Sequence, residues 1–250
     1  AALYIHGGAW IAGDKTDYPA ELIKSMAADA GIAAASMNYR LLFDGASCDH
    51  MIGDVYNAVA LIKRQAAALG VTIDRLSITG VSAGAHLALL YSYTSSGSGD
   101  DSPIPVTLCV SLSGPADFTD PAWFGTSASL AEKRLLISTL TGQPFTESDL
   151  TAIQNSGVMS PDKREALERI SPVYQIHSDI PPTLFAHGTQ DAIVPFSNAE
   201  RLDATLSRTA PDKNLGLTVF PHSGHGLDTP EDAQILAAFL ATIKEELENR

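Results

Sequence analysis

Short, unbroken apolar runs alternate along this chain with longer segments of helical period, and this alternation constrains the fold more than any other feature. Six runs, at 2–6, 32–38, 76–81, 106–112, 183–186 and 217–220, are rich in Val, Ile, Leu and Ala and lack the polar alternation of a half-exposed strand. A strand that is apolar on both sides must be covered on both sides, and such sheets are parallel with helices on each face. Segments 18–30, 54–69, 83–91, 197–206 and 232–248 supply those helices. In 54–69, Val55, Val59, Ile62, Ala66 and Leu69 fall near one stripe and Gly70 follows as a stop signal. Right-handed crossovers then distribute the helices over both faces. The expectation is a three-layer α/β fold with a mostly parallel sheet of about six strands.

One stretch breaks the alternation. From 118 to 178 no strand pattern occurs, and Pro121, Pro144, Pro161 and Pro172 punctuate several short helical patterns. A connection that long in a compact domain carries its own helices or a function. It is read as a cap-like helical insertion over one end of the sheet. At 250 residues the chain supports one buried core, so residues 1–250 are expected to form a single domain. Segment 95–102, Ser, Gly and Asp by composition, reads as a surface loop.

The formal net charge of −13 repels phosphate backbones, so nucleic acid is not expected as a partner. No apolar run is long enough for a membrane span. No basic, apolar leader opens the chain, but the chain starts inside a strand pattern, which leaves its compartment open between cytoplasm and secretion. Of the two cysteines, Cys109 lies in an apolar run and Cys48 in what reads as a polar loop. Neither belongs to a metal-ligand cluster or a disulfide framework. No cofactor and no metal are expected.

Gly80-Val81-Ser82-Ala83-Gly84 fits G-x-S-x-G and stands between an expected strand and an expected helix. A serine on such a turn is held in a strained conformation with its hydroxyl pushed out of the sheet, and glycines two residues away on either side let strand and helix pass. The helix start also aims free N–H groups at developing negative charge. His6-Gly7-Gly8-Ala9-Trp10 follows the first strand, where paired glycines let backbone N–H groups turn toward the serine, to act with the N–H of Ala83. His6 itself is read as a hydrogen-bonded structural residue.

Downstream, Asp191 follows the run at 183–186 and His225 follows the run at 217–220. Ser82, Asp191 and His225 thus lie beyond three strand ends, where the sites of open α/β sheets assemble. The order Ser, Asp, His suits a triad: the imidazole takes the serine proton, and the carboxylate fixes its tautomer. His222 is the competing base, but Gly224 and Gly226 flank His225 and give its loop room. Asp228 and Asp179 are competing acids, and neither directly follows a strand. His50, His86 and His177 are read as surface or satisfied structural histidines. Trp10, Trp123 and Phe196, with Phe118 and Phe124, are candidates for a substrate pocket, and core packing explains each equally well.

Together these motifs, with Asn38-Tyr39-Arg40-Leu41 and GVSAGAHLALL at 80–90, resemble the α/β-hydrolase superfamily over nearly the whole chain. The likeness is strongest to small carboxylesterases with an H-G-G-x-W loop, such as feruloyl and acetyl-xylan esterases and the hormone-sensitive-lipase-like group. Kynurenine formamidase is a further relative. The resemblance implies an acyl-serine esterase acting on small esters, with Gly8, Ala9 and Ala83 as oxyanion donors. Members usually carry two more strands before the H-G-G loop and prolines after the Tyr-Arg-Leu motif. This sequence departs from both patterns. An amidase or formamidase would use the same residues. A non-catalytic binding module of this fold typically lacks a triad member, and none is missing here.

Overall fold

The computed structural model describes residues 1–18, 32–96, 102–126 and 128–249. Six strands form one sheet: β1 (Ala2–Ile5), β2 (Ala34–Met37), β3 (Leu76–Val81), β4 (Val106–Leu112), β5 (Thr183–Gly188) and β6 (Asn214–Phe220). Their order is β2-β1-β3-β4-β5-β6 and every neighbouring pair is parallel. Each apolar run of the sequence forms a strand. β5 continues past residue 186 to Gly188, and β6 starts at Asn214 rather than at 217.

Successive side chains of a strand point to opposite faces, and in the central strands β1, β3, β4 and β5 both faces are largely buried. Leu3, Ile5, Ile78, Cys109 and Phe185 enter one core, shared with α1 (Cys48–Ala68), α2 (Ala83–Thr94) and α7 (Ser197–Thr209). Ala2, Tyr4, Leu108, Val110, Leu184 and Ala186 enter a second core on the other face. Phe239 and Ile243 of α8 (Ala233–Asn249) close it. This double burial is why the strands show no polar alternation.

The helix after β2 starts at Cys48, not at residue 54. Ser47 is its N-cap, and the Ser47 N–H donates to His50 Nδ1 at 3.0 Å. A histidine thus takes the place usually held by Glu or Gln at that position. Cys48 is therefore corrected from a polar loop to a fully buried place in a helical first turn. Both cysteines are free, and burial pushes each thiol up to about 12.

Between β4 and β5 the chain forms α3 (Pro121–Phe124), α4 (Leu130–Thr141), α5 (Glu147–Ser156) and α6 (Pro161–Ile170), with no strand among the described residues. Their boundaries follow local chemistry. Asp120 accepts from the Ala122 N–H, Ser129 with Glu132 and Thr146 with Asp149 form capping boxes, and proline begins α3 and α6. Ile137, Leu140, Leu150, Ile153, Leu167 and Ile170 bind these helices to the first core. Of the expected helix at 18–30, all but residue 18 lies outside the described residues, as do residues 97–101 of the expected loop at 95–102. Among the described residues, no helix is long and apolar enough to cross a membrane.

Because all six strands run the same way, the segments following β1, β3, β5 and β6 emerge at one edge of the sheet.

Candidate active site

Ser82 joins β3 to α2 with φ 55° and ψ −121°, a backbone conformation that side chains rarely adopt. Packing holds it there. A Cβ on Gly80 would lie 2.2 Å from the Gly84 carbonyl oxygen, and one on Gly84 would lie 2.1 Å from that of Ile5 in β1. The helix start is therefore wedged against its own strand and against the neighbouring one, and the serine hydroxyl projects outward.

Three segments meet at that hydroxyl. Ser82 Oγ lies 2.8 Å from His225 Nε2, and His225 Nδ1 lies 2.7 Å from Asp191 Oδ2. The loops bearing Asp191 and His225 are pressed together: a Cβ on Gly188 would lie 2.3 Å from the carbonyl oxygens of both Ser223 and Gly224. Ser113 Oγ donates to the His225 carbonyl at 3.0 Å and holds that loop from the sheet side. With Nδ1–H directed at a carboxylate, the other ring nitrogen is left to accept the serine proton.

The Asp191 carboxylate accepts four hydrogen bonds. Oδ1 takes the N–H groups of Ile193 and Val194 at 2.8 and 2.9 Å, and Oδ2 takes His225 and, at 3.1 Å, His187 Nε2. Burial works to raise its pKa, but the bonds from His187, His225 and the Val194 N–H outweigh burial and hold it well below the usual carboxylate range. His187 is buried, and its Nε2–H is shared with the Val194 carbonyl at 3.0 Å. Sequence reasoning gave His187 no role. Its only signal was its place on the strand four residues before Asp191.

The competing residues lie elsewhere. His222 Nδ1 donates to Asp232 Oδ1 at 2.9 Å, while Ser223 Oγ and the His222 N–H donate to Asp232 Oδ2 at 2.7 and 3.0 Å. Asp232 is thus a buried anchor for the His225 loop, a role that the sequence did not reveal. Asp228 and Asp179 are exposed. Among the described residues, no group of three or more His, Cys, Asp or Glu is placed to hold a metal ion.

β1 lies beside β3, so the loop after β1 adjoins Ser82. Its residues Gly8, Ala9 and Trp10 have φ of 107°, 51° and 59°. The Gly7 carbonyl accepts from His6 Nδ1 at 2.7 Å and from the Tyr39 hydroxyl at 3.2 Å, and the Gly8 carbonyl accepts from Ile11 and Ala12 at 3.0 Å each. A trans peptide carries its N–H opposite its C=O. Fixing those two carbonyls therefore turns the N–H groups of Gly8 and Ala9 the other way. Neither has a hydrogen-bond partner among the described residues, and the same is true of the Ala83 N–H at the start of α2.

Ser82 opens into a cavity of about 400 Å³ whose walls include Ala9, Trp10, Trp123, Leu136 and Val194. Trp10 and Trp123 thus line it. Phe196 does not, and stands with its ring 6.0 Å from that of His187. Phe118 and Phe124 are core residues behind the tryptophans. Trp10 Nε1–H donates at 3.2 Å to Nδ1 of the fully buried His86, whose Nε2–H donates to the Ile170 carbonyl at 2.7 Å. A neutral imidazole thereby ties α2, the loop after β1 and the end of α6 together.

A truncated carbohydrate esterase from gut microbiota superposes with a TM-score of 0.70 at 23% identity, covering 99% of this chain and 85% of that one. A likeness at that identity establishes the α/β-hydrolase fold. Esterase LipC of Mycobacterium tuberculosis is 24% identical over 93% of this chain and 54% of its own length. The probable carboxylic ester hydrolase LipM of the same organism is 30% identical over 90% of this chain and 48% of its own length. The chain spans about half the length of these curated relatives. The BD-FAE family model matches residues 1–206 of the 250, and with that span matched the chain belongs to the BD-FAE family.

Proposed function

We propose that the chain is a serine carboxylic-ester hydrolase that cleaves small-molecule esters through an acyl-serine intermediate. The observation that carries this reading is the unbroken relay from Ser82 Oγ to His225 Nε2 at 2.8 Å and from His225 Nδ1 to Asp191 at 2.7 Å. Relatives named as esterases support ester chemistry.

In this reading His225 removes the Ser82 proton as Oγ attacks the ester carbonyl. The carbonyl oxygen becomes an oxyanion facing the N–H groups of Gly8, Ala9 and Ala83, which are held in place before the reaction begins. The ionised Asp191 stabilises the imidazolium. His225 then gives its proton to the departing alkoxide. In the second half-reaction it activates a water molecule that releases the acid and restores Ser82. Each proton gained by the imidazole is returned, so the cycle closes without a cofactor.

The test is turnover of p-nitrophenyl esters with fluorophosphonate labelling at Ser82. Ser82→Ala is expected to abolish labelling and lower kcat by about 10⁴–10⁶. An Ser82→Ala variant with turnover within tenfold of the parent would overturn the assignment.

A further inference from the structure

Four large apolar side chains stand in solvent at the mouth of the Ser82 cavity: Ile11 is 38% exposed, Phe43 74%, Leu135 56% and Ile193 53%. They come from four separate places, namely the loop after β1, the turn at Leu42–Asp44, α4 and the Asp191 loop. A single exposed apolar residue is ordinary, and a group of them around one opening is not. Behind them the wall continues through Trp10, Trp123 and Leu136 to Ser82.

The charged residues lining the same cavity are committed to the protein. Lys133 is only 4% exposed, and its ammonium donates to the carbonyls of Phe124 and Thr126 at 2.6 and 2.7 Å. The Glu132 carboxylate accepts the N–H and hydroxyl of Ser129 at 2.8 and 2.7 Å, as the cap of α4. Neither is placed to offset the dehydration of a charged substrate group.

We propose that the site selects uncharged esters whose apolar chain is long enough to leave the cavity and lie on this rim. Medium- to long-chain aliphatic esters are then preferred over acetates. The inference rests on Ser82 being the nucleophile. Each methylene buried contributes up to about fourfold to kcat/KM while wall or rim remains to cover it.

The experiment measures kcat/KM of the whole chain on p-nitrophenyl esters from acetate to dodecanoate, with Ser82 labelling by a fluorophosphonate in parallel. Octanoate is expected to exceed acetate by at least about tenfold. Phe43→Ser, Leu135→Ser and Ile193→Ser, all on the surface, are each expected to lower the octanoate-to-acetate ratio by about three- to tenfold. Labelling and acetate turnover with no gain toward octanoate, or rim variants with an unchanged ratio, overturn the rim proposal and leave the nucleophile standing. Absence of both labelling and turnover overturns the nucleophile and the rim proposal with it.

Discussion

At the residue scale, the site depends on which nitrogen carries a proton. Asp191 faces only donors: two backbone N–H groups, His187 and His225. Asp191→Asn must present its amide N–H₂ to at least one of them. The His225 tautomer then fails, and kcat is expected to drop by about 10⁴ with the fold retained, checked by single-turnover kinetics and circular dichroism. His86 gives a separate, pH-dependent effect on stability. Burial pushes its pKa from the ordinary 6.5 down to about 4, so the unfolded chain takes up the proton first. Stability from this group is complete above about pH 6.5 and is lost as pH falls toward about pH 4, by about 3 kcal/mol in total. Asp191 is also held low and adds to the loss at more acidic pH, so the difference between variants isolates His86. Urea midpoints of His86→Gln should fall less between about pH 7 and about pH 4 than those of the parent. Equal falls would remove His86 as the source.

At the element scale, the turn at Ser82 is a packing requirement whatever chemistry it serves. Gly84→Ala would drive a methyl group into the Ile5 and His6 carbonyls of the neighbouring strand, at 2.1 and 2.4 Å. The strand and the helix must separate, at a cost of about 3 kcal/mol or more, with loss of the Ser82 geometry. Gly45→Ala serves as the comparison. Gly45 has φ 76° with nothing within 4 Å of the added Cβ, so only backbone strain of about 1 kcal/mol is expected. Thermal unfolding of the two variants should separate packing from strain, and equal losses would contradict the wedge. The central strands were legible because burial on both faces leaves an uninterrupted apolar run, and the meeting of Ser82, Asp191 and His225 was legible because each lies beyond the end of such a run. Their supports were not. His187, Asp232 and His86 act through contacts made across the fold, and Tyr39 reaches the Gly7 carbonyl from 32 positions away in sequence. The early start of α1 was missed because His50, not Glu or Gln, completes its cap. Phe196 looked like a pocket residue from its loop position alone, and no sequence pattern reports which way a loop aromatic turns.

At the scale of the whole molecule, charge and apolar surface act together on what reaches Ser82. The chain carries a formal net charge of −13. Arg40, Arg169 and Arg201 are hydrogen-bonded to carboxylates: Arg40 to Asp54 at 2.8 Å, Arg169 to Asp49 at 2.5 Å and Arg201 to Asp117 at 2.8 Å. The lysine in the cavity wall is tied to backbone carbonyls. An anionic ester therefore approaches against the mean field and finds no uncommitted cation among the described residues that line the cavity. A neutral ester feels only the apolar rim. Salt separates the two cases, because it screens charges over about 10 Å at about 0.1 M and leaves apolar contact little changed. Raising ionic strength from about 20 mM to about 300 mM is expected to increase kcat/KM severalfold for a half-ester carrying a free carboxylate. For a neutral ester of the same length it should leave kcat/KM within about twofold. A decrease for the anionic ester would mean that a local cation steers it in, and would place a positive subsite at a mouth whose lysine, Lys133, is already bonded to backbone carbonyls.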